Sequence, residues 1–247
     1  MPDHIVLVYG MLAVVICLIG LSKGGFGGTM GALATPLLAL VMPANQVVGL
    51  LLPILMIADV FAVASHWKKW DNRLVFLLLP GAVLGVLIGT IFITSVSPLA
   101  LRRTLGIIAL LFAGYKLFEP VIVRKIHYQP RNWHGITAGT VAGFSSSLAH
   151  TGGPPITIYL LMQNIVPRVF VATSALFFMV LNWIKVPTYF YAGLFDFNLL
   201  WQVAWLLPLL PLSVWVGKSI SAKINKALFD RIMVVFLALS GILLLVG

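Results

Sequence analysis

Long apolar runs follow one another from Ile5 to the C-terminus, and many reach the length a bilayer-spanning helix needs, about 20 residues. This succession constrains the fold more than any other feature. Only 9% of the 247 residues are charged and 61% are hydrophobic, whereas a soluble domain carries about 25% charged residues. A soluble core could not hide so much apolar side chain, so lipid must be the solvent for most of the surface. The runs are continuous and do not alternate, which excludes a β-barrel. The expected fold is an all-α polytopic membrane protein.

Ten apolar segments are predicted, at 5–22, 29–42, 46–66, 74–94, 99–118, 135–148, 154–166, 169–192, 198–217 and 227–246, giving about 8–10 membrane segments. Segments 29–42 and 154–166 are too short to span comfortably. Each follows a break, "SKGGFGGTMG" (Ser22 to Gly31) or "SSSLAHTGGPP" (Ser145 to Pro155). Whether the segments flanking a break form a re-entrant hairpin or two crossings stays open at this level. The start "MPDHIVLVYG" lacks the basic residues of a cleavable signal. The single cysteine, Cys17, excludes an internal disulfide and a multi-cysteine metal site.

The halves resemble each other. At an offset of 123, Gly20-Leu21-Ser22 falls over Gly143-Phe144-Ser145, Leu37-Leu38 over Leu160-Leu161, and Asp59 over Asn182. With small insertions Asp71 meets Asp196, Gly89 meets Gly217 and Arg103 meets Arg231. The expected organisation is an N-terminal repeat 1–118, a basic linker 119–134 and a C-terminal repeat 135–247, together one membrane domain. An odd number of crossings per half makes the repeats inverted, as in many secondary transporters. Twelve basic residues, among them Lys68, Arg73, Lys125, Arg131 and Lys218, fall on one side. The other side holds only Arg102 and Arg103, with Asp3 and Asp196. The bias places the linker in the cytoplasm and both termini outside. It also explains the net charge of +10 without nucleic acid as a partner.

The breaks are the candidate site. Irregular backbone at membrane depth is tolerated only where it is buried in protein or lines a wet cavity. Glycines allow a sharp turn and close approach of a ligand, and Pro154-Pro155 suits the first turn of a new helix. Helix N-termini after the breaks offer N–H groups to an anion. In an inverted repeat the two tips approach each other near the midplane, so the candidate binding residues are Ser22, Lys23, Gly24, Gly25, Gly27, Gly28, Thr29, Ser145, Ser146, Ser147, His150, Thr151, Gly152 and Gly153. Hydroxyls would donate to oxyanion oxygens and Lys23 would supply charge.

Asp59 and Lys185 lie inside apolar segments, where a charge facing lipid costs about 2.5–3.5 kcal/mol, so both are expected to face the interior. Lys185 joins the binding set, and Asp59 with Asn182 forms a coupling or ion-pair set. One reading is a structural Asp59–Lys185 ion pair. The other has Lys185 attracting the anion while Asp59 pairs with a lysine or relays a proton. His150 is either a titrating group or a hydrogen-bonding hinge. Gly81, Gly85 and Gly89 read as a close helix-packing face. Trp67, Trp70, Trp133 and Tyr128 read as an aromatic belt. Pro53, Pro187, Pro208 and Pro211 are candidate kinks.

The stretches "GLSKGGFGGTMGALATPLLAL", "LLLPILMIADVFAV", "LLLPGAVLGVLIGT" and "AGFSSSLAHTGGPPITIYLL" resemble the TauE/SafE family of sulfite and organosulfur exporters over nearly the whole chain. The family's first glycine motif falls on Gly24, Gly25, Gly27 and Gly28, with its following proline at Pro36. Its second falls on Gly152, Gly153, Pro154 and Pro155; where many members repeat a proline, this chain has Tyr159. The resemblance implies a bacterial inner-membrane secondary transporter that exports a small sulfur-containing anion such as sulfite or sulfoacetate. It implies no cofactor and no metal. The expected partners are the anion and the lipid bilayer, with a homodimer left open. The alternatives are a carrier or channel for another small organic anion, or a membrane enzyme with Ser145–Ser147 as nucleophiles and His150 as base.

Overall fold

The structure is a computed structural model that describes residues 2–25, 29–125, 131–220 and 226–247. Gly27, Gly28 and Tyr128 lie outside the described residues, and for Gly25 and Thr29 only the backbone is described. The described residues are helical with no strand. The first half holds α1 (Pro2–Gly25), a short 3₁₀ turn (Thr29–Leu33), α2 (Ala34–Leu38), α3 (Ala44–Ser65), α4 (Asn72–Ser95) and α5 (Pro98–Lys125). The second half holds α6 (Asn132–Ala149), α7 (Gly153–Leu161), α8 (Pro167–Tyr191), α9 (Phe197–Val203), a 3₁₀ turn (Ala204–Leu206), α10 (Leu209–Ile220) and α11 (Lys226–Val246).

Five of these helices are long and apolar enough to cross a membrane: α1 over Val6–Gly24, α3, α4, α5 over Pro98–Ile122, and α8. The segment predicted at 198–217 is not one straight helix. It is α9 and α10, bent by 49° at a break that contains Pro208, whose ring cannot continue the hydrogen-bond ladder. Pro53 and Pro187 lie inside α3 and α8.

The surface inverts the pattern of a soluble protein. Leu84, Ile88, Ile91, Leu111 and Trp201 are exposed, while Asp59 and Lys185 are fully buried. Exposed apolar residues are stable in lipid, and buried charges must find partners inside. The chain is an integral membrane protein with an all-α polytopic fold.

Glycine sets the closest helix contacts. A Cβ on Gly81 would collide with the Ile136 carbonyl, and one on Gly85 with the Thr140 carbonyl, so α4 lies directly against the backbone of α6. Gly139 and Gly143 of α6 reciprocate against Leu78 and Ala82. The same device joins α1 to α10, where Gly20 meets Ser213 and Gly217 meets Leu21. Close approach of small residues is how helices gain packing energy without a hydrophobic driving force between them. Beyond these pairs, α5 packs along α11 and α3 packs on α8.

Candidate functional site

Both breaks sit further along the chain than their composition suggests. Ser22, Lys23 and Gly24 belong to the last turn of α1, which continues to Gly25. Ser145, Ser146 and Ser147 belong to α6, and the second break is confined to His150, Thr151 and Gly152. A helix keeps its backbone groups satisfied at no cost to neighbours, so it extends until glycine or a left-handed residue stops it. His150 is that residue at the second break, with φ 53°. After the break α7 turns back, and Tyr159 returns beside Gly135 near the start of α6. The second hairpin is thus antiparallel.

Helical placement changes what the serines can do. Ser145 Oγ donates to the Val141 carbonyl at 2.8 Å and Ser147 Oγ to the Gly143 carbonyl at 2.9 Å. Such back-bonding is the usual fate of a hydroxyl on a helix in an apolar medium. These two hydroxyls are therefore not free to grip an anion. Nor do they meet the imidazole of His150, as an enzyme reading requires. Ser22 Oγ accepts from the Gly31 N–H at 3.4 Å, tying the end of α1 to the following 3₁₀ turn.

The helix N-termini are also poorer anion sites than expected. The first break leads into a 3₁₀ turn and a five-residue helix. At the second, Pro154 and Pro155 occupy the opening turn of α7 and remove two of the N–H donors. Among the glycines, Gly24 is a packing residue: a Cβ there would meet the Val214 carbonyl of α10. Gly152 is tightly enclosed, with the Ala142 carbonyl 2.8 Å from an added Cβ, while Gly153 is open apart from Phe112 at 3.9 Å.

What the fold does assemble is a continuous chain of charged and polar groups from both halves. Lys23 Nζ donates to Asp59 Oδ1 at 2.5 Å. Asn182 Nδ2 donates to Asp59 Oδ2 at 2.7 Å. Lys185 Nζ donates to Asn182 Oδ1 at 2.9 Å and to the Ser146 carbonyl at 3.0 Å. His150 Nδ1 lies 3.2 Å from Lys185 Nζ, and Nε2 lies 3.1 Å from the Val48 carbonyl. Neutral His150 with the proton on Nε2 satisfies both contacts, donating to Val48 and accepting from Lys185. The same logic fixes the Asn182 amide, whose oxygen must face the lysine and whose nitrogen must face the carboxylate.

The expected Asp59–Lys185 ion pair is not formed. Asp59 pairs with Lys23, and Asn182 stands between Asp59 and Lys185. The reason is reach. Lys23 ends α1 beside the second half of α3, whereas Lys185 on α8 points at the end of α6 and is consumed by its carbonyl. Asp59 and Asn182, one repeat offset of 123 residues apart, do meet.

Phe178 completes the site and carries no signal in the sequence beyond being one more aromatic in an apolar helix. Its ring centroid lies 5.7 Å from Lys23 Nζ. Its Cε1 lies 3.3 Å from where a Cβ of Gly152 would be. The ring therefore lies close to both Lys23 and Gly152. The residues beside the two breaks do not touch α3 at one level: His150 reaches Val48 and Lys23 reaches Asp59, with about 16 Å of helix rise between them. Beside His150, the buried hydroxyl of Thr151 has no hydrogen-bond partner among the described residues.

The profile of the sulfite exporter TauE/SafE family matches residues 12–244, nearly the whole chain. No curated protein and no solved structure matches it.

Proposed function

The chain belongs to the sulfite exporter TauE/SafE family, a family of transporters, and from that premise we propose that it exports a small sulfur-containing anion, such as sulfite, sulfoacetate or a related organosulfonate. One observation carries the assignment to this site. The buried cluster at the breaks holds two lysines, Lys23 and Lys185, and one carboxylate, Asp59. Buried charges are retained when they are paired, and the partner that completes this set is an anion. Lys23 is the entry point, since its side chain keeps 16% exposure while Asp59 has none. The binding residues on this reading are Lys23, Lys185, His150, Thr151, Gly152 and Gly153, with Asp59 and Asn182 as the ion-pair set.

Alternating access is the mechanism in this reading, with the halves 1–118 and 135–247 as inverted repeats around the linker 119–134. The helix pairings support it. Exchanging the halves turns the α1–α10 contact into the α6–α4 contact and returns α3–α8 and α5–α11 to themselves. The Asp59–Asn182 hydrogen bond then lies on the axis between the halves. The membrane is the bacterial inner membrane, with the basic linker cytoplasmic and both termini periplasmic. An inside-negative potential favours anion export by about 2.3 kcal/mol per charge per 100 mV, so uniport suffices.

The test is flux of sulfite and sulfoacetate from proteoliposomes. Lys23→Ala and Lys185→Ala are expected to lose saturable flux while remaining folded by circular dichroism. Wild-type flux in both variants would place the anion elsewhere.

A further inference from the structure

The charges of the cluster can be assigned from its hydrogen bonds, and their sum points to the charge of the ligand. Asp59 is held as a carboxylate: each oxygen receives a donor, from Lys23 Nζ and from Asn182 Nδ2, and a proton on either would displace one. The contacts of Lys185 fit an ammonium. Its nitrogen serves three acceptors, the Ser146 carbonyl, Asn182 Oδ1 and His150 Nδ1, and only the protonated form has three N–H groups. His150 is neutral because it accepts from Lys185. Two lysines against one carboxylate leave a net charge of +1.

Resting on the anion-carrier reading above, which it narrows to hydrogen sulfite or a monosulfonate, we propose that the site is matched to a singly charged anion and discriminates against a doubly charged one, the sulfoacetate and sulfite dianions included. A monoanion at Lys23 brings the cluster to neutrality. A dianion leaves one negative charge in excess beside the Asp59 carboxylate, in a region where uncompensated charge is expensive. Lys23 has the means to take the ligand, since its ammonium has one acceptor, Asp59, among the described residues and three N–H groups. At the second break the buried hydroxyl of Thr151 has no hydrogen-bond partner among the described residues. Asp59 is thus a positioning residue that also sets charge selectivity, and Asn182 transmits its field to Lys185.

The experiment measures binding of methanesulfonate and sulfate to the purified full chain by titration calorimetry. Both ions are tetrahedral at sulfur and differ by a methyl group in place of one charged oxygen. The wild type is expected to bind methanesulfonate at least about tenfold more tightly, the scale of one extra unit charge a few ångströms away. Asp59→Asn raises the cluster to +2 and is expected to lower that preference by about tenfold or more. Lys185→Gln lowers the cluster to zero and is expected to weaken both anions without lowering the preference. The ratio within each variant cancels the folded fraction, the change in that ratio from the wild type cancels the difference in ion hydration, and either variant alone decides the matter if the other fails to fold. Equal binding of sulfate by the wild type, an unmoved ratio in Asp59→Asn, or a lowered ratio in Lys185→Gln overturns the charge matching and leaves the carrier reading standing. Absence of binding of both ions to the wild type, with no sulfite or sulfoacetate flux in proteoliposomes, overturns the carrier reading as well.

Discussion

At the first break the lysine comes from the helix that ends there; at the second it comes from a neighbouring helix. Lys23 lies in the last turn of α1, where a cation suits the negative end of the helix dipole, and it reaches out to Asp59 on α3. α6 ends without a cation of its own, and Lys185 of α8 reaches in to the Ser146 carbonyl near its C-terminus. The last carbonyls of a helix have no partner within it, and lipid offers none. Each helix end thus has a lysine beside it, one held by a carboxylate and the other by a carbonyl that also accepts from the His150 N–H. The difference lies in the counter-charge: the first lysine has a carboxylate, while the second has only neutral acceptors. A purely structural need would be met by two pairs, and the missing second acid is what the proposed binding site rests on.

The comparison breaks most sharply at Asp59. Asp59→Ala leaves Lys23 without its acid and Asn182 without its acceptor, and is expected to cost about 3–5 kcal/mol, measured as thermal unfolding in detergent. The double variant Lys23→Met with Asp59→Leu is expected to recover most of that stability and none of the transport. Recovery of both would reduce the first break to packing.

A smaller effect sharpens the second break. His150→Gly removes the cost of a left-handed residue, about 1–2 kcal/mol, and also removes the contacts to Val48 and Lys185. The two terms nearly cancel, so unfolding temperature is expected to move little while anion affinity falls. A large loss of stability with unchanged affinity would make His150 a structural hinge alone.

The smallest effect is expected at Ser145, where Ser145→Ala removes a hydroxyl that bonds only to carbonyls, that of Val141 foremost. Stability is expected to change by less than about 1 kcal/mol and flux not at all. A substantial loss of flux would return the α6 serines to the binding set.

Much of this was legible in the chain. The glycine faces that lock α4 on α6 follow from four-residue spacing, and the Asp59–Asn182 contact follows from the repeat offset. A hydroxyl near a glycine cluster looks like a ligand donor in sequence, and only the helix running through it shows that Ser145 and Ser147 bond to carbonyls one turn back. Phe178 was invisible because its place depends on closeness to Lys23 and Gly152, two residues distant in sequence.

Sequence alone determined the solvent, since hydropathy is summed along the chain and nothing downstream can hide this many apolar side chains from water. It also determined that two breaks exist and that Asp59 and Lys185 are buried, because glycine content and the cost of a charge in lipid are local properties; it placed the start of each break too early. Only the tertiary structure decided who pairs with whom. Partner choice depends on which helix ends lie at the depth of which side chain, and a lysine within 3 Å of a carbonyl outcompetes a carboxylate it cannot reach. For that reason Lys185 bonds the end of α6, Lys23 takes Asp59, and two lysines share one carboxylate in the cluster.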